Sequence, residues 1–529
     1  MPSCRFAFRG KNRPQMKPAA PQGESRPLRL WPAWGILAVT AIAVLGVQSW
    51  SDWPFQRRNL TSMSIAAIGG ALLVLWWLFL SRAAIRSRLA VLGVLILAGL
   101  GLKQTVRIRG VTGDLIPILE WRGSEARVHT ASEATEAARK PGDYPQFLGP
   151  DRTGILRGPA PSLDWKAHGP KELWRVPVGA AWSGFAVVGN RAITLEQVGD
   201  SERVVCRNLL TGRETWSTTN SGRYATPIGG EGPRSTPTVA GSRVFTQGAA
   251  GWLQALDLES GRRLWGTNIL ELASASVPEW GLAGSPLVVG NRVLAHAGGK
   301  SGRSLLVFDA ERGELLASGG DDSANYGSPA LLELAGVPQV VVFNGRAITA
   351  HSPESAAVLW TRPWGIGYPL VANPVAVSSN RFLVTAGYAV GAELIEVNRG
   401  ADGRLVPSTV WSSKRLKAKF ANPVRLGTLA VGLDDGILAA IDLADGSQKW
   451  KSGRYGHGQG AWIGGVLLQM TEEGELAALE PDATGPNERA RLKVFDHKTW
   501  NPIAVAGDLL VARTDREAAC FRLPPSQGR

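Results

Sequence analysis

The sequence predicts an all-β fold, an eight-bladed β-propeller with a mixed closing blade, preceded by three transmembrane α-helices. Three observations predict it: a unit of about 45 residues recurring from residue 173 to the end, strand-length apolar runs inside each unit, and three apolar stretches within the first hundred or so residues. A fixed period of this size marks a repeat architecture, and strands within each period favour a ring of sheets over a helical solenoid.

The helices come first. Leu30–Val47, Met63–Leu80 and Leu89–Leu102 are apolar and uncharged. The first two have the length a bilayer core requires, and Trp31, Trp34, Trp50 and Trp53 are placed like interfacial anchors. A cleavable signal peptide fits the first stretch poorly, because nearly thirty residues precede it and a second span follows soon after. Seven Lys/Arg residues (Arg5, Arg9, Lys11, Arg13, Lys17, Arg26, Arg29) precede the first span, Arg57 and Arg58 follow it, and Arg82, Arg86 and Arg88 follow the second. Positive charge stays cytoplasmic, so three crossings place the remainder outside, which in a bacterial cell is the periplasm. The expected division is a basic cytoplasmic tail over 1–29, three inner-membrane helices over 30–102, a linker over 103–142 and a propeller over 143–529. The linker is read as a spacer with a possible short strand or helix near Val111–Trp121. The propeller begins with a lead-in segment over 143–171, whose DYPQFLGPDRTGIL reads as an extended clamp.

Each repeat closes on Gly-x-x-x-Trp and reopens on a small-residue–Pro step. The closing Trp falls at Trp174, Trp216, Trp265, Trp360, Trp411 and Trp450, with degraded slots near Ala317 and Phe495. The reopening falls at Thr236-Pro237, Ser285-Pro286, Ser328-Pro329, Asn373-Pro374, Asn422-Pro423 and Asn501-Pro502, with Trp182-Ser183-Gly184 and Gly460-Ala461 in the two other places. That makes eight units. Between third and fourth strands, Asn208, Asp257, Asp309 and Asp442 can bond the turn backbone, while Gly212, Gly261, Gly313 and Gly446 can take positive φ. The last unit stops one strand short, and ELWRVPV (172–178), carrying Trp174, is the strand that completes it and removes an open edge. Cys206 and Cys520 share a third-strand slot with Ala255, Ala350, Ala440 and Ala478, which reads as tight packing between blades and no disulfide.

Charge separates the two regions. Residues 1–142 hold 19 Lys/Arg against 7 Asp/Glu, whereas the rest holds 39 against 37, so the net +14 belongs almost entirely to the membrane region. A propeller near +2 with no basic arm excludes a nucleic-acid partner. No Gly-x-Ser-x-Gly elbow, phosphate loop or His-Glu-x-x-His motif occurs.

ALDLESGRRLW followed by SPLVVGNRVLA resembles the PQQ-like propeller repeat of quinoprotein dehydrogenases and of the lipoprotein component of the outer-membrane β-barrel assembly machinery. DYPQFLGPDRTG, EGPRSTPTV, ANYGSP, ANPV and YGHGQG further resemble a membrane-anchored bacterial subfamily. The resemblance implies a ligand or partner face at the funnel mouth, just before each innermost strand. Here those positions are Trp182, Arg234, Tyr326, Asn373, Lys419, Asn422, His457, Gln459, Trp500 and Asn501. A cationic pair, amides and indoles suit a polar or anionic planar molecule or a protein surface; equally, the amides can cap strand starts. No second His stands at metal-ligand spacing from His457, so no metal is expected, and no catalytic residue is assigned.

The expected function is a noncatalytic, membrane-anchored scaffold binding an envelope protein or small polar ligand, without a cofactor. The alternative is a membrane-bound quinoprotein dehydrogenase using PQQ with calcium. The adjacent Cys-Cys pair of alcohol-oxidising relatives is missing from this chain, and the funnel positions contain no Glu or Asp.

Overall fold

The computed structural model describes residues 28–50, 53–122 and 142–525. The basic tail to residue 27 and the polar part of the expected linker over 123–141 lie outside them. The described chain falls into two compact units.

The first unit contains α1 (Trp31–Ser49) and most of α2 (Phe55–Leu75, continued by a π-helical turn at Trp76–Leu80) and of α3 (Ile85–Thr105), whose residues 55–59 and 104–105 belong to the second. All three are long and apolar enough to cross a membrane. They extend past the apolar runs because the backbone ladder continues into flanking polar residues. Helix α2 gains its first turns, including Arg57 and Arg58, before Met63. Gly69, in the AIGGALL run, meets Thr40, and a Cβ there would lie 2.4 Å from its hydroxyl. That small residue is what permits the close approach of α1 and α2.

The propeller is a ring of eight four-stranded antiparallel blades. Blade 1 runs Ala186–Val188, Arg191–Val198, Ser201–Asn208 and Glu214–Ser221; blades 2 to 7 open at Thr238, Leu287, Ala330, Val375, Val424 and Gly460. In blade 8, Ala504–Ala506, Leu509–Arg513 and Glu517–Arg522 come from the end of the chain, and Lys171–Pro177 supplies the outer strand, with Trp174 opposite Cys520. The mixed closing blade is therefore present. It ties the last strands to the first and abolishes a sheet edge.

Neighbouring blades are stapled by the closing tryptophans. Trp174 Nε1 donates to Leu209 O (2.8 Å), Trp216 to Leu258 O (3.1 Å), Trp265 to Ala310 O (3.1 Å), Trp411 to Leu443 O (3.0 Å) and Trp450 to Asp482 O (2.8 Å). Each acceptor lies in the turn of the following blade. Gly212, Gly261, Gly313 and Gly446, at φ of 69–72°, lie against the rings, where a Cβ would come within 2.4–2.6 Å of an indole carbon. The glycines thus serve both turn conformation and ring docking. Trp360 differs and donates to Gln339 within its own blade.

Across the sheet each closing residue faces a third-strand partner: Trp216 faces Cys206, Trp265 faces Ala255, Trp360 faces Ala350 and Trp450 faces Ala440. In blade 7 the residue facing Ala478 is Ala490. The degraded closing slot is therefore Ala490, with Phe495 lying beyond the strand in the core.

A second set of bonds closes the inner ring. The x-Pro residues pass hydrogen bonds between blades: Thr236 N to Ser285 Oγ, Ser285 N to Ser328 Oγ, Ser328 N to Asn373 Oδ1 and Asn373 N to Asn422 Oδ1, at 2.7–3.0 Å. The lead-in segment spans the ring. Tyr144 exchanges backbone bonds with Val187, Val239 N donates to Pro145 O, Arg152 reaches Pro286 O and Pro329 O, and Ile155–Leu156 adds a parallel strand to blade 7. It thereby touches blades 1, 2, 3, 4 and 7.

The linker segment also contains regular structure. Residues Val106–Val111 (β1) and Pro117–Trp121 (β2) form an antiparallel hairpin whose turn holds Gly113 and Asp114.

Candidate functional site at the funnel mouth

The tip of this hairpin sits in the propeller funnel. Lys419 Nζ donates to Gly113 O at 2.9 Å and lies 3.6 Å from Asp114 Oδ1. His457 Nε2 is 3.2 Å from the same Asp114 oxygen, and Arg454 Nη2 is 2.5 Å from the other. From the opposite direction Glu472 accepts from Gly113 N (2.5 Å) and from Trp500 Nε1 (2.8 Å), while its second oxygen accepts from His457 N (3.2 Å). Lys498 Nζ donates to Val111 O at 2.9 Å and stands over the rings of Trp500 (3.6 Å) and Trp182 (4.7 Å).

Lys419 and His457 are each only 2% exposed and Asp114 6%, so these are interactions removed from water. Burial alone raises the Asp114 carboxyl pKa; the hydrogen bond from His457 and the charges of His457, Lys419 and Arg454 outweigh it and hold the group at about 2. Burial brings the Lys498 ammonium down to about 8. Shape is as specific as charge. A Cβ on Gly113 would lie 2.0 Å from a His457 ring carbon, so the turn fits only with glycine there.

Two ion pairs hold the hairpin stem on blade 8: Arg109 with Asp515 at 2.5 Å, and Glu120 with Arg516 at 2.5 Å. Beneath the tip lies a cavity of about 200 Å³ lined by Phe147, Trp182, Trp280, Tyr326, Tyr388, Phe420 and Trp500, with Arg234 and Gln459 among its polar residues. The rings interlock: Trp182 and Trp500 centroids are 5.0 Å apart, Phe420 and Trp500 4.9 Å, Trp280 and Tyr326 5.6 Å. Their faces can hold an apolar or planar body, with edges supplying specificity.

The ten sequence-derived positions divide into three groups. Trp182, Arg234, Tyr326, Gln459 and Trp500 line the cavity. Lys419 and His457 hold the hairpin tip. Asn373, Asn422 and Asn501 belong to the inner ring of interblade bonds, Asn501 donating to Ala181 O and Ser183 O. The three amides are latches between strands. Arg234 and Lys419 are engaged separately. The Arg234 guanidinium is spent on the carbonyls of Gly229, Gly230 and Gly232, and Lys419 on Gly113.

Asp114, Arg454, Glu472 and Lys498 were not singled out from the sequence. Glu472 sits in a hairpin turn of blade 7 and Lys498 in the link from blade 7 to blade 8, and in the sequence both resemble solvated loop charges. The signal for Asp114 was present: VRIRGV and PILEW flank a Thr-Gly-Asp turn, an apolar alternation typical of hairpins.

Three overlapping matches to the family model described as outer membrane protein assembly factor BamB cover residues 166–345, 272–452 and 344–522. The chain belongs to this PQQ-like propeller family. Among solved structures, BamB from Moraxella catarrhalis is 15% identical over 67% of this chain and 100% of that chain, with a TM-score of 0.48. A europium-containing methanol dehydrogenase is 12% identical over 73% of this chain and 99% of its own, with a TM-score of 0.45. Quinohemoprotein alcohol dehydrogenase from Comamonas testosteroni is 12% identical over 74% and 83%, with a TM-score of 0.47. No curated protein sequence matches the chain. A propeller fold hosts many unrelated functions, so function is argued from the chemistry of the funnel.

Proposed function

We propose that this PQQ-like propeller is a noncatalytic, membrane-anchored binding module on the periplasmic side of a bacterial inner membrane, whose funnel mouth holds a polypeptide turn bearing an acidic residue. One observation carries the reading: Lys419, Arg454, His457 and Glu472 together grip both the backbone and the carboxylate of the Gly113-Asp114 turn, and Lys498 holds the carbonyl of Val111 just before it. A donor and acceptor set matched to peptide groups suits a protein segment, and the description of the family as an assembly factor supports the same use. The distribution of Lys and Arg around the three apolar helices supports the orientation.

The PQQ–calcium pair of the alternative fits these residues poorly. Calcium takes six to eight oxygen ligands, carboxylates prominent among them. Among the described residues no three His, Cys, Asp or Glu side chains converge at metal-binding spacing. The two carboxylates at the mouth, Asp114 and Glu472, are already bonded to cations and N–H donors. Thermal unfolding of the full chain in detergent, with and without PQQ and calcium, checks this. No stabilisation is expected; a gain of about 2.7 kcal/mol at roughly one hundred times the dissociation constant would establish a cofactor site instead.

A further inference from the structure

The hairpin that fills the funnel also has an exposed apolar face. In its register Val106 pairs with Trp121, Arg107 with Glu120 and Ile108 with Leu119. Paired residues share a side and successive residues alternate, so Val106, Ile108, Leu119 and Trp121 form one apolar face, while Arg107 and Glu120 form the other. The polar face is committed: Glu120 holds Arg107 and Arg516, and Arg109 next to it holds Asp515. Ile108, Leu119 and Trp121 are 69%, 65% and 67% exposed, an apolar cluster on a two-stranded sheet too thin to cover it.

Position in the chain says what covers it. Strand β1 starts at Val106, the residue after the end of α3 at Thr105, with no connector between. Arg122 N donates to Thr105 O at 2.9 Å, fixing the Trp121 end of β2 beside the same point. Ile108 lies three residues beyond the helix, within about 10 Å of chain at roughly 3.3 Å per residue. The headgroup layer on each side of the hydrocarbon core is about 5–8 Å thick, and Trp concentrates there. We infer that the Val106–Ile108–Leu119–Trp121 face is a lipid-binding surface, seated in the headgroup region of the bilayer that α3 leaves. The hairpin is then two-sided, with ions and its turn directed to the propeller and aliphatic and indole groups to lipid.

The test uses the full chain in lipid nanodiscs, with Cys4 replaced by Ser and Cys206 and Cys520 retained, both being buried. A nitroxide is attached at Ile108→Cys or Leu119→Cys, and, for comparison, at Leu316→Cys on the exposed outer strand of blade 3. Collision rates with oxygen and with a water-soluble nickel chelate are read by electron paramagnetic resonance. The expected result is strong oxygen collision and a several-fold weaker nickel collision at 108 and 119 than at 316. Nickel access equal to that at 316 overturns the inference by placing the face in water. Shielding from both reagents overturns it by showing that protein covers the face.

Discussion

Replacing Trp174 with Ala is expected to lower the unfolding free energy of the propeller by about 3–5 kcal/mol, the range for removing a large buried aromatic side chain. Trp174 is 1% exposed, its indole N–H bonds Leu209 O, and its ring lies on Gly212 of blade 1. It also sits on the strand that closes blade 8, so it works at the junction between the two chain ends. Trp174→Phe keeps the ring but leaves the Leu209 carbonyl without its donor, and should cost about 1–2 kcal/mol. Chemical unfolding of the full chain in detergent reads both. A loss below about 1 kcal/mol for Trp174→Ala would mean that closure does not depend on this staple.

Substituting Gly113 with Val should expel the hairpin tip from the funnel while leaving the ring folded. The Cβ would sit 2.0 Å from His457, whose ring is itself held between Asp114 and Phe420, their ring centroids 5.5 Å apart in the second case. A clash of this size against a fixed ring requires the turn to move. Hydrogen exchange should then rise by orders of magnitude over 106–121, starting with the Gly113 amide that Glu472 now protects, while blade amides such as those of Leu509–Arg513 keep their wild-type rates. Unchanged exchange over the hairpin would show that the tip is not held by its fit to His457.

The fold was legible because the features that build it are periodic. Trp216, Trp265 and Trp450 recur with their turn glycines, since the same indole-to-turn bond is made at successive interfaces. The error at Phe495 arose where the pattern loses its aromatic residue: with Ala490 in the slot, the nearest downstream ring imitates it, and only the pairing with Ala478 resolves the two.

The site was legible in part. Residues just before the inner strands do cluster at the funnel, so the sequence places Trp182, Tyr326 and Trp500 together and the structure has all three lining one cavity. Sequence could not separate Lys419, which faces the hairpin, from Asn373, Asn422 and Asn501, which bond the neighbouring blade from equivalent positions. What distinguishes them is the occupant, and it comes from a hairpin some three hundred residues away in the chain. Glu472 and Lys498 acquire meaning only against that hairpin.

The most direct measurement is calorimetric titration of a cyclised peptide of the Val111–Pro117 sequence into the full chain carrying Gly113→Val, beside the same peptide with Asn in place of Asp114. A funnel that receives acidic turns should bind the Asp peptide and bind the Asn peptide about tenfold or more weakly, the equivalent of one lost charge-assisted hydrogen bond at about 1.5–3 kcal/mol. Equal affinity for the two peptides, or no binding of either, would contradict the assignment of the funnel mouth as a receptor for an acidic turn.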